Sequence, residues 1–468
     1  MDTNIDTRTA PNSSSARDRA YLLHPMTDLV RHQQEGPLVL AKGDGVHVLD
    51  ETGRRFIEGV SGLWSVTLGF HNERLARAAY RQMLELPSYH MFRFKSHVPG
   101  IELADRLIGM APAPMSKVFF ANSGSEANDT AIKLVWYYNN ALGRRQKKKI
   151  IARRGGYHGV TIATGSLTGL ARNHTDFDLP IDRILHVESP HYWRGARPGE
   201  SEQDFATRLA TDLENTILAE GPDTVAAFIA EPVMGSGGVI VPPVTYFDKV
   251  QAVLKRYDVL FLVDEVICGF GRLGDMFGCE TYNLKPDMIT LAKGLSSGYQ
   301  PISALLVSEQ IFEACLNQSK KIGVFGHGFT YSGHPVCAAV AIETLKIYEE
   351  IDVVGHVRAV APVLQDGLRA YADHPLVGEV RGIGLVAGLE LVRDKAKRES
   401  FPPELNVGLF IERRCEEHGV ILRSLGDTLT AAPPLIAERD TLEEIVRVVG
   451  KALDDTLRHV HAQGSACE

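Results

Sequence analysis

Residues 261–294 decide how the chain is read. The segment opens Phe261-Leu262-Val263-Asp264-Glu265-Val266, passes through Gly269-Phe270-Gly271-Arg272-Leu273-Gly274, and closes Thr290-Leu291-Ala292-Lys293-Gly294. Its two apolar runs, 259–263 and 288–292, are short, continuous and bounded by polar or glycine residues. That is the pattern of strands buried on both faces of a parallel sheet. Each run ends at one ionisable residue, Asp264 or Lys293. Ligands of open α/β sheets sit outside the carboxyl ends of the strands, so both groups are expected at one crevice. Read alone, they are either a buried ion pair or the working groups of a site.

The strands upstream point to the same crevice. Lys117-Val118-Phe119-Phe120-Ala121 runs into Asn122-Ser123-Gly124-Ser125-Glu126-Ala127-Asn128 and an amphipathic helix reaching about Tyr138. Strand, small polar residues, then helix is an anion site, because free backbone N–H groups and the helix dipole both favour a phosphate. The bare pattern is equally a good N-cap. A strand over 150–153 leads to Gly155-Gly156-Tyr157-His158-Gly159, where glycine lets the backbone bend and brings Tyr157 over the crevice. Another strand, 225–230, ends at Glu231, read as a structural partner of a cation or as a third working group. Near the N-terminus, 46–50 and 55–59 flank a turn and read as a hairpin leading into Val60-Ser61-Gly62-Leu63-Trp64. Further on, Gly326-His327-Gly328-Phe329-Thr330 precedes a helix over 336–349, and Arg423 closes an expected strand after Gly419. In isolation Trp64 is a loop tryptophan, Thr330 a turn residue, His158 a locally bonded loop histidine, and Arg423 a solvated or ion-paired arginine.

Together the Asp-Glu pair, the Gly-Phe-Gly-Arg turn, the Ala-Lys-Gly closure and the Asn-Ser-Gly-Ser-Glu-Ala-Asn segment resemble the class III pyridoxal-phosphate aminotransferases, in the ω-aminotransferase (amine:pyruvate) type. The resemblance covers roughly residues 20–460, with the motifs in the right order. It implies the α/β architecture of pyridoxal-phosphate fold type I: a large domain with a mostly parallel seven-stranded sheet, plus a smaller α/β domain. The implied division is a flexible arm over 1–20, a segment 21–75 contributing to the small domain, a large cofactor-binding domain over 76–350, and a C-terminal small domain over 351–468. It implies that Lys293 carries pyridoxal 5'-phosphate as a Schiff base and that Asp264 pairs with the ring nitrogen. Such a lysine must lose its proton, which desolvation favours, and the ring acts as an electron sink only while its nitrogen stays protonated. It further implies Ser123, Gly124 and Ser125 at the phosphate, Tyr157 stacked on the ring, and Glu231 close by. Val266 is either the other face of the ring or ordinary core. Trp64 and Phe92 become substrate-pocket walls, Arg423 the holder of the substrate carboxylate, and Thr330 a residue reaching across a dimer interface to the partner's phosphate. The expected assembly is a homodimer or a dimer of dimers.

Bulk numbers exclude other classes. A net charge of −8, from 50 basic and 58 acidic residues, offers no electrostatic case for nucleic acid or an anionic membrane. Six cysteines lie far apart with no Cys-x-x-Cys pair, which fits a reducing compartment and no structural zinc or disulfide framework. The polar first residues carry no apolar signal core, and no run approaches a membrane span, so the expected location is the cytoplasm. The Gly269–Gly274 stretch is formally G-x-G-x-x-G, but Asp264 and Glu265 separate it from its strand and no periodic helix follows, against a nicotinamide dehydrogenase. A regulator borrowing the fold would need a DNA-binding domain, for which the polar residues before the hairpin leave no room. An aminomutase or a decarboxylase would share Lys293 and Asp264. Arg423 together with Trp64 favours amine-to-keto-acid transfer over either.

Overall fold

The computed structural model describes residues 12–464. In chain order the strands are β1 (Leu40–Asp44), β2 (His47–Asp50), β3 (Arg55–Glu58), β4 (Lys117–Ala121), β5 (Lys149–Arg153), β6 (Ile184–Val187), β7 (Val225–Ala230) and β8 (Leu260–Asp264). They continue as β9 (Met288–Leu291), β10 (Ser303–Val307), β11 (Val377–Ile383), β12 (Val386–Leu391), β13 (Val420–Ile421), β14 (Arg423–Leu425) and β15 (Thr428–Ala431). The central sheet has seven strands in the order β4-β10-β9-β8-β7-β5-β6. The pairs from β9 across to β6 are parallel, and β10 alone runs antiparallel between β4 and β9.

Alternation along these strands explains the continuous apolar runs. Ala227 and Ile229 of β7, with Leu260 and Leu262 of β8, pack on one face beneath the helix Gly124–Ala141. Phe228, Ala230, Phe261 and Val263 face the other way, among the helices Glu202–Glu220, Tyr246–Arg256 and Pro335–Glu350. With helices on both faces every residue of β7, β8, β9 and β10 is buried, and each such Leu, Ile or Phe contributes roughly 1.5–3 kcal/mol by burial. The polar residues are therefore pushed to the strand ends, where β7, β8 and β9 hand over to Glu231, Asp264 and Lys293.

Two four-stranded sheets flank this layer, β1-β2-β3-β13 and β11-β12-β15-β14. The expected hairpin is β2–β3, and β3 pairs in parallel with β13 far along the chain. The strand expected to run from Gly419 to Arg423 is two strands. The chain leaves one sheet after Ile421 and enters the other at Arg423, so Arg423 begins a strand where it was expected to close one. The flexible arm expected over 1–20 falls partly on residues outside the described ones, and Ser14–Tyr21 is a helix capped by the Ser13 side chain. No helix of the described residues is long and apolar enough to cross a membrane.

Candidate active site

A cleft of about 750 Å³ opens at the carboxyl ends of the central strands. It is lined by Trp64, Ser123, Gly124, Ser125, Tyr157, Glu231, Asp264, Val266, Lys293 and Arg423, which chain separation alone would scatter over more than half the sequence. Phe92 and Thr330 are not among its walls. Both are exposed, and Phe92 lies instead against Gly328, where an added Cβ would come within 3.0 Å of its ring.

Asp264 is 3 % exposed and held by three donors. Asn128 Nδ2 and His158 Nδ1 each donate to Oδ2 at 2.8 Å, and the Val266 N–H donates to Oδ1 at 3.1 Å. Asn128 is fixed in turn, since Thr290 Oγ1 donates to its Oδ1 at 2.7 Å while its amide also reaches the His158 carbonyl at 2.9 Å. Three donors fix the position of this buried carboxylate. Nε2 of His158 is buried without a partner.

Lys293 follows β9 with φ at 45°. Left-handed backbone in a residue with a side chain costs about 1–3 kcal/mol and persists only where the surroundings impose it. Among the described residues its amine has no hydrogen bond or ion pair. Burial pulls its pKa down to about 8, against the opposing pull of the Asp264 and Glu231 carboxylates. A neutral amine is therefore accessible near physiological pH.

Glu231 is neither a free acid nor an arginine's partner. Its carboxylate accepts from the N–H groups of Tyr157 and Gly235, both at 3.0 Å, and so fixes the Tyr157 loop. The buried Arg153 guanidinium donates at 2.6 Å to the backbone carbonyl of Glu231. Burial pushes the Glu231 carboxyl up.

At the mouth of the helix Gly124–Ala141, the Ser123 hydroxyl caps the Glu126 N–H at 3.2 Å, and Ser125 Oγ accepts from the Val160 N–H at 3.2 Å. Gly124 is required by crowding: a Cβ there would lie 3.1 Å from Val266 Cγ2. Beyond, Ser61 and Trp64 take left-handed φ of 52° and 63°, and the Trp64 ring is 2 % exposed, buried in the cleft wall where the stretch read alone suggests a surface side chain. Arg272 of the Gly-Phe-Gly-Arg turn holds this loop. It is fully buried and donates to the carbonyls of Leu385 and Pro433 and to Ser61 Oγ, at 2.9, 2.6 and 3.2 Å, tying the central layer to both flanking segments. Burial lowers its pKa to about 10.

The outer end of the cleft differs. Among the described residues neither the Arg423 nor the Arg172 guanidinium has a hydrogen bond or ion pair, and both line the cleft. Arg172, Asn128 and the strut Arg272 went unremarked as site residues in the sequence. Asn128 lies inside the quoted Asn-Ser-Gly-Ser-Glu-Ala-Asn segment, but its reach to Asp264 depends on how the helix docks.

Residues 30–453 match the family Aminotransferase class-III. The chain belongs to the class-III aminotransferases. The aminotransferase is 52 % identical to gamma aminobutyrate transaminase 3, chloroplastic, of Solanum lycopersicum over 455 residues, covering 96 % of this chain and 88 % of that one. It is 53 % identical to the vanillin aminotransferase of Capsicum annuum over 425 residues, 91 % and 93 % of the two chains. The omega transaminase from Pseudomonas jessenii, solved in complex with PMP, superposes with a TM-score of 0.95 at 53 % identity, covering 96 % of this chain and 99 % of that one. The fold is therefore pyridoxal-phosphate fold type I, and the enzyme is a transaminase that works with pyridoxal 5'-phosphate. The G-x-G-x-x-G turn is no dinucleotide site. It packs Gly271 against Val353 and Leu435, and the helix that follows, Gly278–Thr281, is only one turn long.

Proposed function

We propose that this aminotransferase moves an amino group from an ω-amino acid or amine to a keto acid, pyruvate first among them, with Lys293 as catalytic group. The observation that carries the reading is the unpaired Lys293 amine, held near pKa 8 beside a fixed Asp264 in a cleft whose outer end bears unpaired arginines. The residues present fit pyridoxal 5'-phosphate. The start of the helix Gly124–Ala141, with Ser123, Gly124 and Ser125, suits the phosphate; Asp264 suits the ring nitrogen; Tyr157 and Val266 suit the two ring faces. When bound, the cofactor supplies the electron sink that lets a proton leave the substrate carbon.

The chain's own groups do the rest. Lys293 Nζ would hold the cofactor and, as a general acid and base, would move the proton at the substrate carbon. Asp264, held in place by Asn128, His158 and the Val266 N–H, would face the ring nitrogen and favour its protonated form. Glu231 fixes the Tyr157 loop. Trp64 forms the apolar wall of the substrate end, and Arg423 binds the keto-acid carboxylate through two parallel hydrogen bonds. The relatives' names support both kinds of substrate, since gamma aminobutyrate carries a carboxylate and vanillin carries none.

The proposal places two chains in the working enzyme, as a homodimer or a dimer of dimers. Thr330 and Phe92 lie off this chain's cleft on exposed surface, which supports their serving a partner's phosphate and substrate pocket. The location proposed is the cytoplasm, where the described cysteines, Cys268, Cys279, Cys315, Cys337 and Cys415, would stay reduced. Borohydride reduction of the yellow holoenzyme followed by peptide mapping tests the core of the reading. Label on Lys293, with turnover of an amine panel against pyruvate, supports it; label on another lysine overturns it.

A further inference from the structure

Away from the catalytic groups, a short N-terminal segment gathers three side chains that ligate metals. Asp18 lies in the helix Ser14–Tyr21, His24 in the loop that follows, and His32 in the helix Leu29–Glu35. Nε2 of His24 is 2.9 Å from both Asp18 carboxylate oxygens, and Nε2 of His32 is 2.9 Å from Oδ1. The two imidazole rings lie 4.1 Å apart, centre to centre, at 33°. All three ligand atoms fall within 4.8 Å of one another. The arrangement is not a satisfied hydrogen-bond network. His32 is 8 % exposed, yet its Nε2 makes no hydrogen bond of acceptable direction despite its closeness to Asp18. A buried polar nitrogen without a partner is costly, and a metal would supply the missing bond.

We propose that Asp18, His24 and His32 bind one divalent transition metal, with zinc as the best fit. Imidazole nitrogens select zinc and its neighbours over calcium or magnesium, which prefer oxygen sets. Two histidines and one carboxylate are a known three-ligand zinc set, with the fourth position left to water. The consequence lies between the ligands. Pro25 and Met26, flanked by His24 and His32, line the active-site cleft, and Met26 holds a left-handed φ of 51°. Protein contacts already join the two helices, since Arg19 Nη1 donates to the Gln33 carbonyl at 3.2 Å and Gln33 Nε2 to the Arg19 carbonyl at 2.8 Å. The metal would clamp the loop between them against the cleft. The site is independent of the reaction proposed above.

The test uses tag-free holoenzyme, stripped with a chelator, dialysed, and titrated with zinc chloride by calorimetry, with bound metal counted by mass spectrometry. The expected result is one zinc per chain, a dissociation constant in the micromolar range or tighter, and a higher melting temperature with zinc than without. His32→Leu keeps the His24–Asp18 bond but loses a ligand. Second-shell changes alone cost about 10–100-fold in metal affinity, so this variant should bind zinc more than about 100-fold more weakly. Its cofactor content and transaminase activity should show that it is folded. His24→Asn gives the same readout if His32→Leu does not fold. Absence of stoichiometric zinc in the parent, or parent-like binding in these variants, would overturn the proposal.

Discussion

The two ends of the cleft are built on opposite terms. At the inner end Asp264 and Glu231 stand at strand ends and are buried with Asn128 and His158, and both carboxylates accept hydrogen bonds from the chain. At the outer end the groups sit on loops and sheet edges, and Arg423 and Arg172 keep their charge without a partner in the chain. Burial even lowers the pKa of Arg172, and the nearby Arg423 charge lowers it further. Carboxylates fixed by the chain's own donors suit one geometry, as a single unchanging cofactor would require. Unpaired guanidiniums can meet a carboxylate in one half-reaction and leave an uncharged amine alone in the other. On the proposed function, fixed chemistry would sit inside and adaptable recognition outside.

Substitutions at the inner end should therefore strike every substrate alike. On the proposed function Lys293→Ala should abolish measurable turnover with all amines, because it would remove the covalent anchor and a general acid/base that alone contributes about 10²–10⁴-fold. Steady-state assays across an amine panel check this, and activity with any donor would break the comparison. Asp264→Asn should still bind cofactor yet lose about 10- to 10³-fold in both half-reactions, since an opposite charge within about 4–6 Å shifts a pKa by roughly 1–3 units. Absorbance titration of the cofactor separates binding from turnover in that variant.

A pH effect should also be confined to the inner end. The Lys293 pKa is drawn down to about 8, so its reactive neutral form grows with pH below that value and levels off above it. Reloading of the apoenzyme with pyridoxal 5'-phosphate should therefore speed up about tenfold per unit up to roughly pH 8 and then plateau. A rate flat from pH 6 to 9 would remove the argument for a desolvated amine. The smallest effect on chemistry should come from Glu231→Gln. It keeps one acceptor but presents an amide to the Gly235 N–H, so it should cost about 1–3 kcal/mol of stability, read by denaturation, while turnover stays close to the parent's. A collapse of turnover with stability intact would make Glu231 a working group.

The same contrast governs what the sequence discloses. Asp264, Lys293 and the Ser123–Ser125 segment were legible because each closes an apolar run, and buried parallel strands announce their ends. The seven-stranded sheet follows from those runs and from the family resemblance. Arg423 was legible only through the resemblance, because a two-residue strand changing sheets at Leu422 leaves no periodicity to read. Asn128, Arg172 and Arg272 were not legible as parts of the site. Asn128 and Arg272 act through contacts across more than 100 residues of chain, such as Arg272 with the Leu385 and Pro433 carbonyls, and Arg172 is known only by its place in the cleft; no local pattern encodes either. Trp64, like Arg423, was legible only through the resemblance: read alone, a loop tryptophan is a surface side chain until the loop is seen folded inward.

Arg423→Ala tests the division of the cleft most directly. Hydrogen bonds to a charged group are worth roughly 1.5–3 kcal/mol, or about 10- to 150-fold in kcat/KM. Stopped-flow measurement should follow each half-reaction alone, first with an amine that carries no carboxylate and then with pyruvate. The account predicts a loss of that size for pyruvate and little change for the amine, whereas Asp264→Asn slows both. Equal losses in the two half-reactions of Arg423→Ala, or none in either, would contradict it.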